Sequence, residues 1–202
     1  MIKNFFYKNS FKKSNILQNK NLKKKFTKVV NDILIDIDTP KNSFHTLGKN
    51  FRFNFKIKDL KKFKKFKSVV IVGMGGSILG AEAINQFLSY KIKKNFFFFD
   101  NINKNYFYDF KKKNKTKNTL FLIISKSGNT IETVSNLLSL NILKRKAKNI
   151  IVISEKKNNF LFNLSQKLNL FYIEHKNYIG GRFSVLSEVG MLPAYLMEIN
   201  IK

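Results

Sequence analysis

Three short stretches of this 202-residue chain combine glycine with hydroxyl or guanidinium side chains, and each runs into an apolar helical pattern. The first is Gly73-Met-Gly-Gly-Ser-Ile-Leu-Gly80. Glycines such as Gly75 and Gly76 let a backbone turn sharply and present N–H groups to an anion, and Ser77 adds a hydroxyl at a helix N-terminus. The spacing is neither G-x-G-x-x-G nor the G-K-[ST] ending of a nucleotide loop, so dinucleotide and nucleotide binding are disfavoured. Taken alone, glycines that serve only helix–strand packing explain this stretch equally well.

The second stretch is Ser125-Lys-Ser-Gly-Asn-Thr-Ile-Glu-Thr133. Ser125, Ser127, Thr130 and Thr133 supply hydroxyls, Lys126 lies between the two serines, and Gly128 allows a turn. Short hydroxyls with free amides at a positive helix end suit a terminal phosphate monoester, whose oxygens accept from all sides. With Glu132 as its one carboxylate, the stretch lacks the set of carboxylates that holds Mg²⁺ for phosphoryl transfer. A serine- and threonine-rich N-cap is the competing reading, but one cap does not need so many hydroxyls. Glu132 is a candidate base, yet Asn129-Thr-Ile-Glu132 has capping-box spacing, and the cap is the expected role. The third stretch is Gly180-Gly-Arg-Phe-Ser-Val-Leu-Ser187. Arg182 is one of three arginines in a chain that otherwise chooses lysine, which points to a geometric need for a fixed guanidinium. A capping or salt-bridge role is the alternative.

These stretches need a scaffold that aims loops in one direction. Ser68-Val-Val-Ile-Val-Gly73, Asn95-Phe-Phe-Phe-Phe-Asp100, Leu120-Phe-Leu-Ile-Ile-Ser125 and Asn149-Ile-Ile-Val-Ile-Ser154 read as strands buried on both faces, with Leu170-Phe-Tyr-Ile173 a weaker fifth. Between the third and fourth runs lies an amphipathic helix with Ile131, Val134, Leu138 and Ile142 on its expected buried stripe. The alternation predicts an α/β fold: a doubly wound, mostly parallel five-stranded sheet flanked by helices. Ligands then bind beyond the carboxyl ends of the strands, where two of the three stretches begin. Residues 1–66 are lysine-dense and weakly patterned, and are expected as a partly helical extension before a domain over 67–202. Short helices are expected at Leu22–Val30 and Asp59–Phe66, and a turn at Asp38-Thr39-Pro40.

The composition narrows the classes further. The chain carries a formal net charge of +27, yet its basic residues are lysine apart from Arg52, Arg145 and Arg182. Lysine, asparagine, isoleucine and phenylalanine are over-used together, as an AT-rich coding sequence would produce. The basic runs at Lys23–Lys25 and Lys111–Lys113 read as solvated faces, and no specific nucleic acid is expected as partner. Cysteine is absent, which excludes disulfides, thiolate metal sites and a cysteine nucleophile. The start, Met1-Ile-Lys-Asn-Phe-Phe-Tyr-Lys, has no signal-peptide pattern, and no apolar run reaches the roughly 20 residues of a membrane span. A soluble, cytoplasmic protein is expected.

In this order, GMGGSILG, SKSGNTIET and GGRFSVLSEVGMLP resemble the first sugar-isomerase (SIS) domain of the phosphoglucose isomerase family, over about Val69 to Leu196. The resemblance implies reversible conversion of glucose 6-phosphate to fructose 6-phosphate through a cis-enediolate, with no metal or other cofactor. It implies that Ser77, Ser125, Ser127, Thr130 and Thr133 hold the sugar phosphate, with Lys126 in the same loop, and that Gly75 and Gly76 let the backbone approach the sugar. Arg182 would stabilise charge on the enediolate oxygens. The family's proton-transfer glutamate, its ring-opening histidine and a late lysine lie beyond the arginine motif, and no position here matches them. His45 and His175 fit no family motif and are expected to be structural or surface residues. The chain is therefore expected to be an N-terminal part of such an enzyme, binding phosphosugar with little or no turnover. A homodimer is the expected state at full length. A non-catalytic SIS module that senses a phosphosugar and a bifunctional glucose/mannose phosphate isomerase remain alternative readings.

Overall fold

Runs of consecutive apolar residues can lie only in strands covered on both sides, and five such strands form the centre of the computed structural model, which describes residues 20–102, 108–110, 112 and 116–201. Most of the run Lys111–Lys113 and the chain start at Met1 lie outside the described residues. The strands are β1 (Ser68–Val72), β2 (Asn95–Phe99), β3 (Thr119–Ile124), β4 (Ile150–Ser154) and β5 (Phe171–Glu174). They pair in the order β2-β1-β3-β4-β5, and every pairing is parallel. The expected sheet is thus present within a residue or two at each strand end.

Alternation along the strands builds two cores. On one face Val69, Ile71, Leu120, Leu122, Ile124, Ile151 and Ile153 pack with Ile78, Ala81, Leu192 and Leu196. The helices covering that face are α2 (Ile57–Leu60), α3 (Leu79–Phe87) and α6 (Glu188–Leu196). Leu60, Phe63 and Phe66 belong to this core, so the helical end of the lysine-dense segment packs into the sheet unit. On the other face Val70, Val72, Phe121, Ile123, Ile150 and Val152 pack with Leu137, Leu140 and Leu161 from α4 (Ile131–Leu140) and α5 (Phe160–Leu168). Each fully buried Leu or Ile contributes about 1.5–3 kcal/mol of transfer free energy. Ahead of these elements runs α1 (Lys20–Asp38), longer than the expected Leu22–Val30.

The rotation of α4 corrects the expected stripe. Of that stripe Ile142, just past the helix, is buried and Val134 is half-buried, but Ile131 is 78% exposed and Leu138 is 55% exposed, while Thr133, Asn136, Leu137 and Leu140 are buried. A period of 3.6 fits two overlapping faces of this helix. The one chosen brings Leu137 and Leu140 onto the sheet and lets the Asn136 amide donate to the carbonyls of Phe99 and Asn101.

The strand order places the topological switch point between β1 and β3, since the chain leaves β1 toward β2 and returns on the other side. The loops after these two strands are Gly73–Gly80 and Ser125–Thr133.

Candidate functional site

The loop after β3 draws three hydroxyls together. Ser125 Oγ lies 2.9 Å from Thr130 Oγ1 and 3.4 Å from Ser127 Oγ, and Ser127 Oγ lies 3.3 Å from Thr130 Oγ1. Backbone amides join the cluster: Gly128 N–H donates to Ser125 Oγ at 3.1 Å, and Asn129 N–H donates to Ser127 Oγ at 3.3 Å. Ser125 is buried and Ser127 is exposed, so the triangle has a supported base and an open corner. It stands against the N-terminus of α4, where Thr130 is the N-cap but makes no side-chain cap bond. The hydroxyls bond one another rather than the helix end, which leaves the first-turn amides of α4 without a side-chain acceptor.

That geometry also corrects the reading of Glu132. A capping box requires Asn129 as the cap, but Asn129 Oδ1 instead accepts from Phe160 N–H at 2.8 Å, on the start of α5. Glu132 is half-buried in the first turn of α4 and makes no cap bond. The sequence spacing was right for a box, but the neighbouring helix claims the asparagine.

Thr133 faces inward. It is fully buried, and its Oγ1 has no hydrogen-bond partner among the described residues. Lys126 turns away from the hydroxyls: its Nζ donates to the Asn177 carbonyl at 2.7 Å and lies 3.6 Å from Glu155. Burial pushes the Glu155 carboxyl up, but the hydrogen bonds and charges of Lys157 and Lys126 outweigh it and hold the group below the ordinary carboxylate value.

The loop after β1 and the arginine stretch meet directly. Gly75–Ser77 forms a short 3₁₀ turn, and a 3₁₀ segment over Gly181–Leu186 packs against it. A Cβ on Gly76 would sit 2.1 Å from the Gly181 carbonyl oxygen, so only glycine permits this approach. Ser184 Oγ ties the two together by donating to the Gly76 carbonyl at 3.0 Å. Arg182 follows Gly181 immediately, is exposed, and makes no hydrogen bond or ion pair among the described residues. Its capping and salt-bridge alternative therefore has no contact to support it. Ser77 is half-buried beside Gly73, whose added Cβ would lie 3.2 Å from the serine Cβ.

Both histidines are buried. His45 Nδ1 pairs with the Ile37 carbonyl and His175 Nδ1 with the Lys176 carbonyl, each at 2.9 Å. Burial pushes His175 below the ordinary histidine value.

The sequence reading missed two supports. Asn159 and the backbone of the β4–α5 loop hold the hydroxyl loop: Glu155 N–H donates to the Lys126 carbonyl and Leu161 N–H to the Gly128 carbonyl, both at 3.1 Å. The second is a buried pair, Lys176 with Glu188, the latter also accepting from Asn54 N–H at 2.8 Å. The run Asn158-Asn159 before an apolar helix is an N-cap signal, but nothing in it names the loop it reaches across to. Among the described residues no group of histidine, aspartate and glutamate is arranged to hold a metal ion, and no helix is long and apolar enough to cross a membrane.

Comparison with known proteins agrees with this architecture. A probable glucose-6-phosphate isomerase of Methanococcus maripaludis is 34% identical over 148 residues, covering 69% of this chain and 34% of that protein. A glucose-6-phosphate isomerase of Borreliella afzelii is 37% identical over 141 residues, covering 64% of this chain and 26% of its own. The match thus spans about a third or less of these curated relatives. Among solved structures, a hypothetical protein of Thermus thermophilus shares the fold at a TM-score of 0.72 and 20% identity, over 93% of this chain and 47% of that one. A glucose-6-phosphate isomerase of Chlamydia trachomatis superposes at 0.56 with 25% identity, over 70% of this chain and 30% of the other. The family model for phosphoglucose isomerase matches residues 20–199, which takes in the hydroxyl loop, both glycine turns and Arg182. By that match, the chain belongs to the phosphoglucose isomerase family.

Proposed function

We propose that this chain is the phosphosugar-binding part of an aldose–ketose isomerase that interconverts glucose 6-phosphate and fructose 6-phosphate. The observation that carries the reading is the triangle of Ser125, Ser127 and Thr130 beside the uncapped start of α4, at the carboxyl end of β3. Those hydroxyls and amides receive the phosphate. Gly75, Gly76 and Ser77 bring the first loop close to the sugar, and Arg182 stabilises negative charge as it develops on the enediolate oxygens. Pre-oriented charge of this kind is worth about 3 kcal/mol of barrier. No metal or nucleotide enters the proposed reaction.

Isomerisation also needs a base that takes the proton from C2 and returns it to C1. No position here matches the family's glutamate for that step, so the 202-residue chain is expected to bind phosphosugar and turn it over little or not at all. The full enzyme is proposed to act as a homodimer in the cytoplasm.

Calorimetric titration of this chain with glucose 6-phosphate, mannose 6-phosphate and glucose tests the binding half. Glucose 6-phosphate is expected to bind at least tenfold more tightly than glucose, and Ser127→Ala with Thr130→Ala to remove that advantage. Equal binding of glucose, or an unchanged double variant, overturns the phosphate assignment. A coupled assay tests the other half, where normal isomerisation by this chain would refute binding without turnover. Equal affinity for the two phosphosugars favours the bifunctional reading.

A further inference from the structure

A recess of about 950 Å³ lies at the amino-terminal ends of β1, β3 and β4, at the other end of the sheet from the hydroxyl triangle. Three separate segments bring cations to it: Lys65 and Lys67 before β1, Lys117 before β3, and Lys144, Arg145 and Lys148 between α4 and β4. No carboxylate is among its described lining residues. None of the six cations forms an ion pair among the described residues, where Lys94, Lys126, Lys157 and Lys176 make those that occur.

Two simpler explanations fall short. Cations near the end of α4 complement its dipole, but that accounts only for Lys144 and Arg145, not for those arriving from two other segments. Background lysine enrichment explains exposed lysines anywhere, but it does not explain Arg145. Of the three arginines, Arg52 is spent on the carbonyls of Lys49 and Phe51, and Arg182 belongs to the site above. The third stands in this recess. Six like charges converging on one concavity repel one another, and an anion that binds there relieves the repulsion.

We infer that the recess is a binding site for a linear polyphosphate, a chain of three or more linked phosphates, either free or carried by a nucleoside. Its volume lies within the roughly 300–1,000 Å³ of small-ligand sites. A single phosphate carries about 2 negative charges, too few to meet six cations spread over three segments. A single nucleic-acid strand is disfavoured because base stacking needs an exposed ring, and Phe66, which lines the recess, is 7% exposed.

The test titrates the 202-residue chain with tripolyphosphate, adenosine triphosphate and orthophosphate in 150 mM salt, where the screening length of about 8 Å suppresses diffuse attraction. Tripolyphosphate is expected to bind at least tenfold more tightly than orthophosphate. Arg145→Glu with Lys148→Glu should weaken it at least tenfold, and Arg145→Gln with Lys148→Gln by a smaller, graded amount. A charge-matched control on the exposed face of α1, Lys24→Glu with Lys28→Glu, should change it less than twofold. Tighter binding of adenosine triphosphate than of tripolyphosphate assigns the chain to a nucleoside carrier; equal or weaker binding assigns it to the free form. Equal losses in recess and control variants overturn the site, as does orthophosphate binding as well as tripolyphosphate. So does an oligothymidylate that outcompetes tripolyphosphate and is weakened equally by both reversals. Glucose 6-phosphate affinity, unchanged in the recess variants, keeps this result separate from the proposed isomerase site.

Discussion

Asn159 fills the space that Gly128 leaves open. A Cβ on Gly128 would lie 1.9 Å from Asn159 Oδ1, and Gly128 adopts φ +71°, where L side chains are strained. The asparagine is buried and fully used: its Oδ1 caps α5 through Phe162 N–H at 2.9 Å, and its Nδ2 donates to the Glu155 carbonyl at 2.8 Å. The turn of the hydroxyl loop is thus locked against the next βα loop. Gly128→Ala is expected to cost about 1–2 kcal/mol for the backbone conformation alone, with more from the clash, and to weaken phosphosugar binding because the triangle shifts. Asn159→Ala should cost about 1 kcal/mol as a lost cap. Urea unfolding of the two single variants and the double one measures the contact. The double variant should be more stable than the sum predicts, and strict additivity would show that the two residues do not interlock.

Thr133 lies under the loop, apart from the three hydroxyls proposed to meet phosphate. Its side chain has no accessible surface and its Oγ1 has no partner among the described residues. A phosphate oxygen reaches it only if the loop opens. Thr133→Val is therefore expected to leave glucose 6-phosphate affinity within twofold. It should also hold or raise stability, since an orphaned buried hydroxyl costs about 1–3 kcal/mol. Calorimetry beside a melting curve checks both, and a tenfold loss of affinity would return Thr133 to the phosphate site.

What the sequence revealed and concealed follows from the range of each signal. The five strands were legible because burial on both faces demands unbroken apolar runs, and Leu120–Ile124 is such a run. Ser125, Ser127 and Thr130 were legible because they lie within one loop. Contacts between distant segments leave no local trace: the Gly76–Gly181 approach joins positions 105 apart, and Asn129 abandons its own helix for Phe160. The buried face of α4 was misread because apolar residues line two of its faces, and only the position of Leu137 and Leu140 over the sheet decides between them.

Arg182 is placed to test whether charge stabilisation and substrate binding are separate. It stands unpaired among the described residues, next to the Gly76–Gly181 contact. Arg182→Ala should leave glucose 6-phosphate affinity within about threefold, because the ground-state sugar carries no charge at C1 or C2. It should weaken 6-phosphogluconate, whose C1 carboxylate mimics the enediolate charge, by at least tenfold. Equal losses for the two ligands would place the guanidinium on the phosphate instead.

His175 should make stability fall on mild acidification. Burial lowers its proton affinity in the folded chain, with the Lys176 carbonyl and the charge of Glu188 opposing that effect incompletely. The unfolded chain, titrating near the ordinary 6.5, then binds more protons than the folded chain between the lowered value and 6.5. The contribution is therefore complete above about 6.5 and lost as pH falls toward the folded value. His175→Asn keeps an N–H near the Nδ1 position and removes the titration. Its urea midpoint should fall less steeply than that of the parent chain between pH 7 and 5, and parallel profiles would exclude His175 as the cause.

Glu188 carries the largest single stability prediction, because it is completely buried and shares one oxygen between two donors. Its Oε1 accepts from Lys176 Nζ and from Asn54 N–H, which joins α6, the segment after β5 and the stretch before α2. Glu188→Gln keeps the shape and an acceptor for Asn54 but leaves the mostly buried Lys176 ammonium without its counter-charge. Breaking a buried pair from one side costs about 3–5 kcal/mol. Removing both charges with Lys176→Met and Glu188→Gln should recover much of that loss, since the desolvated ammonium is gone and the Asn54 bond remains. Chemical denaturation of the three variants decides the matter: a double variant no more stable than Glu188→Gln alone would mean that Lys176 is solvated well enough to stand unpaired.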